Sequence, residues 1–362
     1  MSNYIEFENK IAFHPGYYIK EYIDTIGLTQ EDFANRLGTT PKNISYLIRG
    51  EQSLSLEMAL KLARMIGTSV KYWLNLQNEY DSLILEFEDK KELKEEKNIL
   101  KNLDYSYFEK YFNLPNLPKK LDEQIIKLRE FLNVSSLTVF KNLDMYVHFK
   151  SSPLGCLSET NLIKANIMTQ IATNISLKNI SIPKYDKKKF LSSIEYILTL
   201  TNNDDTCFKL IKESLFNAGI DFIMIPNITG SKIDGATKKI GDHIMLMINN
   251  RHTYLDSFWF TLFHEIGHII NGDFGISFEI DTNNDKELKA NNYAENALIP
   301  IEKYKEFINK NDFTIKSITN FSKEINRNPG IILGRLQKEN IIPYNDYKYK
   351  SLKHKYNFEW NK

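Results

Sequence analysis

Two histidines spaced four residues apart, with a glutamate directly after the first, are the residues of this sequence best suited to chemistry. They are His264, Glu265 and His268 in the segment His-Glu-Ile-Gly-His. On a helix, positions i and i+4 lie on one face, so both imidazoles can bind one metal ion. Glu265 lies one step round the helix, where its carboxylate can serve as general base toward a water molecule held by that ion. The spacing predicts a Zn²⁺ centre, with Mn²⁺ or Fe²⁺ less favoured alternatives.

The other interpretation of this segment is two ordinary core histidines. Its apolar flanks predict a buried helix, and buried imidazoles beside a carboxylate are costly without a partner, which favours a metal. Gly267 inside the helix predicts close approach by another element.

A catalytic zinc site usually has three protein ligands, so one more donor is needed. The next predicted helix offers Glu287, which shares a face with Ala290, Asn291 and Ala294. The alanines allow close packing, and Asn291 is predicted to hold the second ring nitrogen of a histidine. Other acids remain open as the third ligand: Asp273, Glu279, Asp281, Asp285 and Glu295.

A second group of residues, from Leu28 to Gly50, has helix-turn-helix spacing. Its apolar positions are predicted to face inward: Phe33, Ala34, Leu37, Ile44 and Leu47. The second helix would enter the major groove by its first residues, with some side chains near base edges and others near phosphates. The first set is Pro41, Lys42, Asn43 and Tyr46, the second is Gln30, Ser45 and Arg49, and Thr40 caps the helix at the same surface. The alternative is a generic helical bundle.

Length and composition bound the possibilities further. A chain of 362 residues with 42% hydrophobic and 26% charged residues is long enough for two or three domains. A net charge of +1 gives no bulk attraction for nucleic acid, so DNA binding depends on the local motif. The cysteines, Cys156 and Cys207, favour a reducing compartment. Without a signal-peptide pattern or a long apolar run, we expect a cytoplasmic protein with no membrane partner.

The elements that must position these residues divide the chain into three parts, which predicts an α+β multidomain protein. Residues 1–81 are expected to form an all-α helix-turn-helix bundle, 82–150 a helical middle region, and 151–362 a metal domain with a small sheet. Capping residues predict helices from Pro15 to Gly27, over 30–37, from Pro41 to Gly50, over 56–66 and after Ser69. The charged stretch 82–101 reads as a solvated helix, or alternatively as a dimerising coiled coil.

Further elements follow from short apolar runs and periodicity. Strands are predicted at 222–225 and 244–248. Helices are predicted at 123–131, 137–146, 255–271, 286–299, 317–324 and 330–339. A faint helix-turn-helix echo near 321–336 leaves a further option: the helix pair at 318–336 also touches DNA. Packing inside the metal domain is the favoured role for that pair.

The N-terminal segment resembles HigA-type antitoxins of the XRE superfamily. The matching features are His14-Pro15-Gly16, Leu28-Thr29-Gln30, the run from Ser55 to Ala63, and Ile66 to Asp81 with Trp73. The resemblance implies a homodimer on palindromic operator DNA and, for some members, a toxin partner.

The C-terminal motif resembles the ImmA/IrrE family of zincin-like metallopeptidases, over about 218–336. The likeness rests on His264 to His268, on Glu287-x-x-Ala290-Asn291-x-x-Ala294, on Leu298-Ile299-Pro300 and on the lead-in from Asp256 to Phe263. It implies a protein substrate, such as a helix-turn-helix repressor, and an edge strand at 244–248 that pairs with it. Lys289 stands where relatives often have a second acid. Tyr254 and Arg251 are oxyanion candidates only by proximity.

Two functions therefore remain open. One is a regulator that binds DNA and hydrolyses a peptide bond, in a repressor or in itself, with an activity that can be latent. The other is a non-catalytic antitoxin or repressor whose metal domain is structural or sensory. Glu265 favours the first, because a sensing site has no need of a general base.

Overall fold

The computed structural model describes residues 4–7, 9–142, 158–203, 207–278, 285–357 and 360. The boundary predicted between 150 and 151, together with Cys156, Glu279 and Asp281, lies outside these residues. The chain forms two compact units, Met1–Glu95 (unit 1) and Glu96–Lys362 (unit 2). Among the described helices, none has both the length and the apolar character needed to cross a membrane.

Unit 1 begins with a hairpin and continues as a helical bundle. Strands β1 (Tyr4–Phe7) and β2 (Lys10–Phe13) pair antiparallel. The helices follow as α1 (Pro15–Ile26), α2 (Gln30–Leu37), α3 (Pro41–Ile48), α4 (Leu56–Ile66) and α5 (Val70–Lys101), the last of which runs on into unit 2. The predicted helix bounds are confirmed, and the boundary predicted at 81/82 falls within α5.

Local capping explains why these bounds were predictable. The hydroxyls of Thr29, Thr40 and Ser55 accept hydrogen bonds from backbone N–H groups three residues on, at 3.1, 3.2 and 3.1 Å. Gly27 and Gly38 end α1 and α2 in the left-handed conformation, at φ of 71° and 68°.

The prediction of an all-α N-terminal bundle is wrong for Tyr4–Phe13. Each strand has only four residues, too few to show alternation along the sequence. Contacts distant in sequence hold the hairpin instead. The ring of Phe7 packs edge-on against Phe87 of α5 at 5.1 Å, and Lys10 Nζ lies 2.7 Å from Glu86 Oε2. Most residues of α5 between Phe87 and Glu95 are exposed, as expected of a solvated helix.

Unit 2 starts with helices that surround one side of its core. They are α6 (Tyr105–Phe112), α7 (Leu121–Leu132), α8 (Glu159–Lys178), α9 (Lys187–Thr199) and α10 (Cys207–Asn217). The helix predicted at 123–131 is confirmed as α7. The one predicted at 137–146 is a 3₁₀ turn over Leu137–Lys141 in its described part.

A four-stranded sheet supports the rest of unit 2. Its strands are β3 (Ile220–Ile225), β4 (Ile233–Ile240), β5 (His243–Asn249) and β6 (Gly275–Phe278), in the order β3-β5-β4-β6. β3 and β5 are parallel, and β4 is antiparallel to β5 and β6. The prediction of an edge strand at 244–248 is therefore wrong: β5 pairs on both sides, because the unpredicted strand β4 covers its second edge.

The last helices complete the core. They are α11 (Leu255–Asn271), α12 (Asp285–Leu298), α13 (Ile301–Asn309), α14 (Ile315–Glu324) and α15 (Pro329–Lys338). The four helices predicted in this region are confirmed to within two residues. Ile318, Phe321, Ile332 and Leu336 are buried in the same core as Trp259 of α11, which agrees with a packing role for the α14–α15 pair.

Candidate metal centre and DNA-binding surface

Helix α11 carries the histidine motif through the interior of unit 2. Its neighbours Phe258, Trp259 and Phe263 are among the largest fully buried side chains. Burial extends to the polar residues of the motif: His264, Glu265 and His268 are 8%, 0% and 6% exposed. Polar groups at this depth require partners, so the arrangement around them decides what the site can do.

Helix α12 supplies the partner because it packs directly on α11. A Cβ at Gly267 would lie 3.1 Å from the Cα of Ala290, so the glycine and the alanine together allow the close approach that the sequence predicted. Ala290 and Ala294 are fully buried, and Glu287, on the same face, is 8% exposed. The packing therefore brings the first turn of α12 to the two histidines.

Three donor atoms converge between the two helices. His264 Nε2 lies 3.0 Å from His268 Nε2 and 3.0 Å from Glu287 Oε2, and His268 Nε2 lies 3.3 Å from Glu287 Oε1. Ligands bound to one tetrahedral zinc ion at 2.0–2.2 Å would be separated by about 3.3 Å, which is close to these distances. Among the described residues, His264, His268 and Glu287 form a group able to hold an ion. Donor type and spacing both fit Zn²⁺.

A hydrogen bond orients the first histidine. Nδ1 of His264 lies 2.9 Å from Oδ1 of Asn291, one turn along α12 from Glu287. An amide oxygen accepts, so Nδ1 carries the proton and Nε2 keeps its lone pair for a metal. Burial would raise the pKa of Glu287, but the two imidazoles outweigh it and lower that pKa to about 2. The third donor is therefore a carboxylate at neutral pH.

The carboxyl group of Glu265 packs against strand β4 at Gly235. A Cβ at Gly235 would lie 2.5 Å from Oε1 and 2.8 Å from Cγ of Glu265, so the side chain occupies space that only glycine leaves open. Burial raises the pKa of Glu265 to about 8, although the neighbouring His264 and the hydroxyl of Ser277 both act to lower it. Neither carboxyl oxygen has a hydrogen-bond partner of regular geometry among the described residues. Within the described part of the chain, no ion pair compensates the burial of this acid.

The other acids considered as third ligands are engaged elsewhere or exposed. Asp273 Oδ1 lies 2.8 Å from Lys286 Nζ, and Glu295 Oε1 lies 3.0 Å from Lys338 Nζ. Asp285 is exposed at the start of α12. Of the two oxyanion candidates, Arg251 pairs with Asp234 at 3.2 Å, and Tyr254 precedes α11 with its ring against Lys353 and Lys355.

Gly235 and Ser277 were missed from the sequence. Asp-Gly at 234–235 is typical of a turn rather than a strand, and a four-residue β6 gives little periodicity. The one available signal was a glycine next to an acid in a segment that follows a buried strand.

In unit 1, helices α2 and α3 form the helix-turn-helix. Its predicted inward residues are buried: Phe33, Ala34, Leu37, Ile44 and Leu47 are at most 5% exposed. The predicted DNA-facing side chains lie outside that core. Gln30, Thr40, Pro41, Lys42 and Arg49 are exposed, and Asn43, Ser45 and Tyr46 are half-buried.

The ring of Tyr46 organises this surface. Lys42 Nζ and Arg49 Cζ lie 5.6 and 5.2 Å from its centre, one on either side along α3. Asn43 donates from Nδ2 to Thr39 Oγ1 at 3.0 Å. Arg49 also forms an ion pair with Glu51 at 2.9 Å.

Comparisons with known proteins bear on this surface. A family model described as Helix-turn-helix matches residues 19–73. The uncharacterized HTH-type transcriptional regulator YddM of Escherichia coli K12 is 41% identical over 71 residues, which cover 19% of this chain and 76% of the relative. The chain belongs to the HTH-type transcriptional regulators.

Two further proteins are similar to this chain over a comparable number of residues. Antitoxin HigA-1 of Vibrio cholerae is 33% identical over 61 residues, 17% of this chain and 57% of the relative. A solved structure of an addiction module antidote protein of a HigA family from Coxiella burnetii is 26% identical, covers 23% of this chain and 91% of that one, and gives a TM-score of 0.22. The family match at 19–73 lies in unit 1, so the chemistry of the metal centre rests on its geometry.

Proposed function

We propose that this HTH-type regulator is also a zinc-dependent peptidase, with the DNA-binding surface in unit 1 and the hydrolytic centre in unit 2. The substrate would be a protein, either a helix-turn-helix repressor or another copy of the chain. The observation that carries the proposal is the convergence of His264, His268 and Glu287 within 3.3 Å, near the fully buried carboxyl of Glu265.

Each residue around the site would have a distinct role in such a reaction. When bound, Zn²⁺ would supply Lewis acidity that makes water a nucleophile at neutral pH. In its carboxylate form, which burial disfavours, Glu265 would accept the proton of the attacking water and pass it to the departing amine. Asn291 holds His264 in the tautomer that leaves Nε2 free, and Gly235 keeps room for the glutamate. The apolar walls of α11 exclude bulk water from the reacting groups.

Unit 1 would direct this activity to operator DNA. A structure of one similar protein shows it in complex with its operator, and another relative is named an antitoxin. We propose by analogy that the exposed face of α3 binds an operator as part of a homodimer, and that a toxin is a further candidate partner.

A second candidate function is a repressor or antitoxin whose metal centre is structural or sensory. The complete burial of Glu265 favours it, since a general base must meet water and substrate. The two functions differ in whether Glu265 is needed for more than folding.

The substitution Glu265→Gln separates them, because it keeps the shape of the side chain and removes the base. We expect wild-type and Glu265→Gln chains to bind zinc equally by mass spectrometry and to shift operator DNA equally. New protein N-termini, mapped across the proteome of expressing cells, should arise with the wild type and disappear with the variant.

The matched control is Glu302→Gln, since Glu302 is an exposed glutamate of α13. It should leave the N-termini unchanged. If zinc-loaded Glu265→Gln produces the same new termini as the wild type, the peptidase assignment is wrong. If the wild type, loaded with zinc, produces no termini beyond those of the variant, the sensory or structural function is the better one.

A further inference from the structure

The segment that joins α8 to α9 in unit 2 presents apolar side chains to solvent. Ile180, in the loop itself, is 97% exposed, and Leu177, in the last turn of α8, is 58% exposed. Leu191 of α9 is 46% exposed. Apolar residues scattered singly over a surface are normal, whereas several grouped in one short segment indicate a surface that a partner covers.

The same segment is rich in exposed lysines. Lys178 ends α8, and the first turn of α9 begins with three further lysines, Lys187–Lys189. Lys239, at the penultimate position of β4, is exposed as well. Among the residues that the structure describes, none of these five ammonium groups lies in an ion pair. Their charges therefore remain available to a partner from solution.

The two acids that lie among these lysines are both engaged. Asp186 Oδ1 accepts hydrogen bonds from the backbone N–H groups of Lys188 and Lys189 at 2.8 and 3.1 Å, which caps the start of α9. Asp242 Oδ2 lies 2.7 Å from Lys184 Nζ. Six lysines against two acids make this surface strongly basic. We call it the α8–α9 patch, and its members are Leu177, Lys178, Ile180, Lys184, Lys187–Lys189, Leu191 and Lys239.

Contacts with the turn between β4 and β5 bring the parts of the patch to one end of unit 2. The N–H of Tyr185 donates to the carbonyl of Asp242, in that turn, at 2.8 Å. Ser176 Oγ, near the end of α8, lies 3.0 Å from Nε2 of His243, the first residue of β5. The turn thus contacts both the end of α8 and the loop before α9, and it follows directly on the strand that carries Lys239.

We propose that the α8–α9 patch is a peripheral contact with an anionic lipid bilayer. The lysines would lie among the headgroups, while Ile180 and Leu177 would enter the boundary between headgroups and acyl chains. A nucleic acid backbone offers phosphates to the lysines but leaves the exposed isoleucine in water, whereas a bilayer surface accommodates both. Such a contact needs no spanning helix, so it departs from the expectation of no membrane partner. The inference holds with or without peptidase activity.

The test is flotation of the full-length protein with lipid vesicles. One set of vesicles is phosphatidylcholine alone, and the other contains about one third phosphatidylglycerol, which is anionic. We expect partition into the anionic vesicles to be at least about tenfold stronger and to weaken as salt is raised, because salt screens exposed charges. No binding to the anionic vesicles, or equal binding to both kinds, would overturn the proposal.

The apolar part of the contact is tested by Ile180→Ser. Loss of a buried isoleucine side chain should weaken partition into the anionic vesicles about tenfold. Ile126→Ser is the matched control, because Ile126 is a 48% exposed isoleucine of α7, outside the patch. It should bind vesicles as the wild type does. Wild-type partition by Ile180→Ser, or an equal loss in the two variants, contradicts insertion at this loop.

The charged part is tested by replacing the three lysines that begin α9. The triple substitution Lys187→Gln, Lys188→Gln and Lys189→Gln should weaken partition about 100-fold, at about fivefold for each lysine near an anionic surface. The control replaces three exposed lysines of α5, with Lys90→Gln, Lys91→Gln and Lys94→Gln. It changes the net charge equally and should bind as the wild type does. An equal loss in both triple variants would contradict a local patch.

A second ligand distinguishes lipid from nucleic acid as the partner of these lysines. Binding of a non-operator DNA duplex to the same proteins is measured by fluorescence anisotropy. If the α9 triple variant and its α5 control bind this duplex equally while only the first loses vesicle binding, the bilayer is supported. If the α9 triple variant loses affinity for the duplex and the wild type does not bind vesicles, the patch is a nucleic acid contact and the proposal is wrong.

Discussion

Both units bury histidines, but the two environments differ in what they require. In unit 1, His14 is 1% exposed, and its Nδ1 accepts a hydrogen bond from the backbone N–H of Gly16 at 3.0 Å. That imidazole caps the first turn of α1 and is satisfied by its own chain. In unit 2, His264 and His268 turn their Nε2 atoms toward each other and toward Glu287. Their lone pairs converge on one point, and a cation there satisfies all three groups.

The comparison teaches that burial alone does not identify a metal-ligating histidine. The deciding feature is which atoms face the free ring nitrogen. Backbone donors and acceptors around His14 indicate a structural role, whereas a second imidazole and a carboxylate within 3.3 Å indicate a metal centre. The four predictions that follow test this distinction and extend it to the DNA-binding surface.

The largest effect is expected from His268→Ala. The substitution removes one of three converging donors, so we expect zinc affinity to fall more than 100-fold, beyond the 10–100-fold typical of outer-shell changes. Affinity is measured by competition with a chelator of known strength. His354→Ala, which removes an exposed histidine, is the control and should bind zinc as the wild type does. Equal zinc affinity in the two variants would refute the ligand set.

The next effect is expected from Asn291→Ala, which removes the acceptor on His264 Nδ1 without touching a donor atom. We expect zinc to bind about 10–100-fold more weakly, because the ring loses the hydrogen bond that sets its tautomer. Asn292→Ala, one residue along α12 and away from the histidine, is the matched control. The same chelator competition measures the zinc affinity of both variants. If Asn291→Ala binds zinc as tightly as the wild type, the contact with His264 does not affect zinc binding.

On the DNA-binding surface we expect smaller, independent contributions. Arg49→Ala should weaken operator binding about fivefold and reduce the dependence of log affinity on log salt by about one, as expected for one lost phosphate contact. Arg64 is another exposed arginine, at the end of α4, and Arg64→Ala serves as the control for charge. Titrations by fluorescence anisotropy at several salt concentrations measure the operator affinity and its dependence on salt. An equal loss in the two variants would mean that only net charge matters.

The smallest effect is a pH dependence in unit 1. Burial lowers the pKa of His14 below its usual 6.5, against the charge of Asp81, which raises it. The unfolded chain therefore binds more protons below that pH, so the contribution of His14 is fully present above about 6.5 and is lost as the pH falls. Hydrogen exchange of the α1 amides, corrected for intrinsic rates, should show weaker protection at pH 5.5 than at 7.5.

His14→Asn is the matched control for this pH dependence of amide protection, because asparagine caps helices without titrating. Its α1 amides should lose little or no protection between the two pH values. If the variant loses as much protection between the two pH values as the wild type does, the pH dependence belongs to other groups.

How much of this could be predicted from the sequence depended on whether the determining contacts were local. The bounds of α2, α3 and α4 follow from Thr29, Thr40 and Ser55, and those of α11 from a largely apolar segment that ends before Gly272, so they were predictable. The hairpin at Tyr4–Phe13 depends on Phe87 and Glu86, far along the chain. Strand β4 contains an Asp-Gly pair and two lysines, which hide its alternation.

The candidate site shows the same division. The spacing of His264, Glu265 and His268 indicated the pair of imidazoles and the neighbouring acid, and the small residues of α12 indicated Glu287 and Asn291. The strand order did not follow from any local pattern, so β5 was taken for an edge strand. Gly235, which makes room for Glu265, could not be recognised because its role depends on a contact between a strand and a helix thirty residues apart.

The contact of Gly267 with Ala290 has a consequence for the size of ion that unit 2 can accommodate. The separation of the two helices at this point determines how far Glu287 stands from the imidazoles, and a methyl group at 267 would already be 3.1 Å from the Cα of Ala290. Widening by a few tenths of an ångström is the difference between bond lengths of about 2.1 Å to zinc and about 2.4 Å to calcium. The packing of Gly267 on Ala290 would thereby influence the ionic radius that the proposed metal centre prefers.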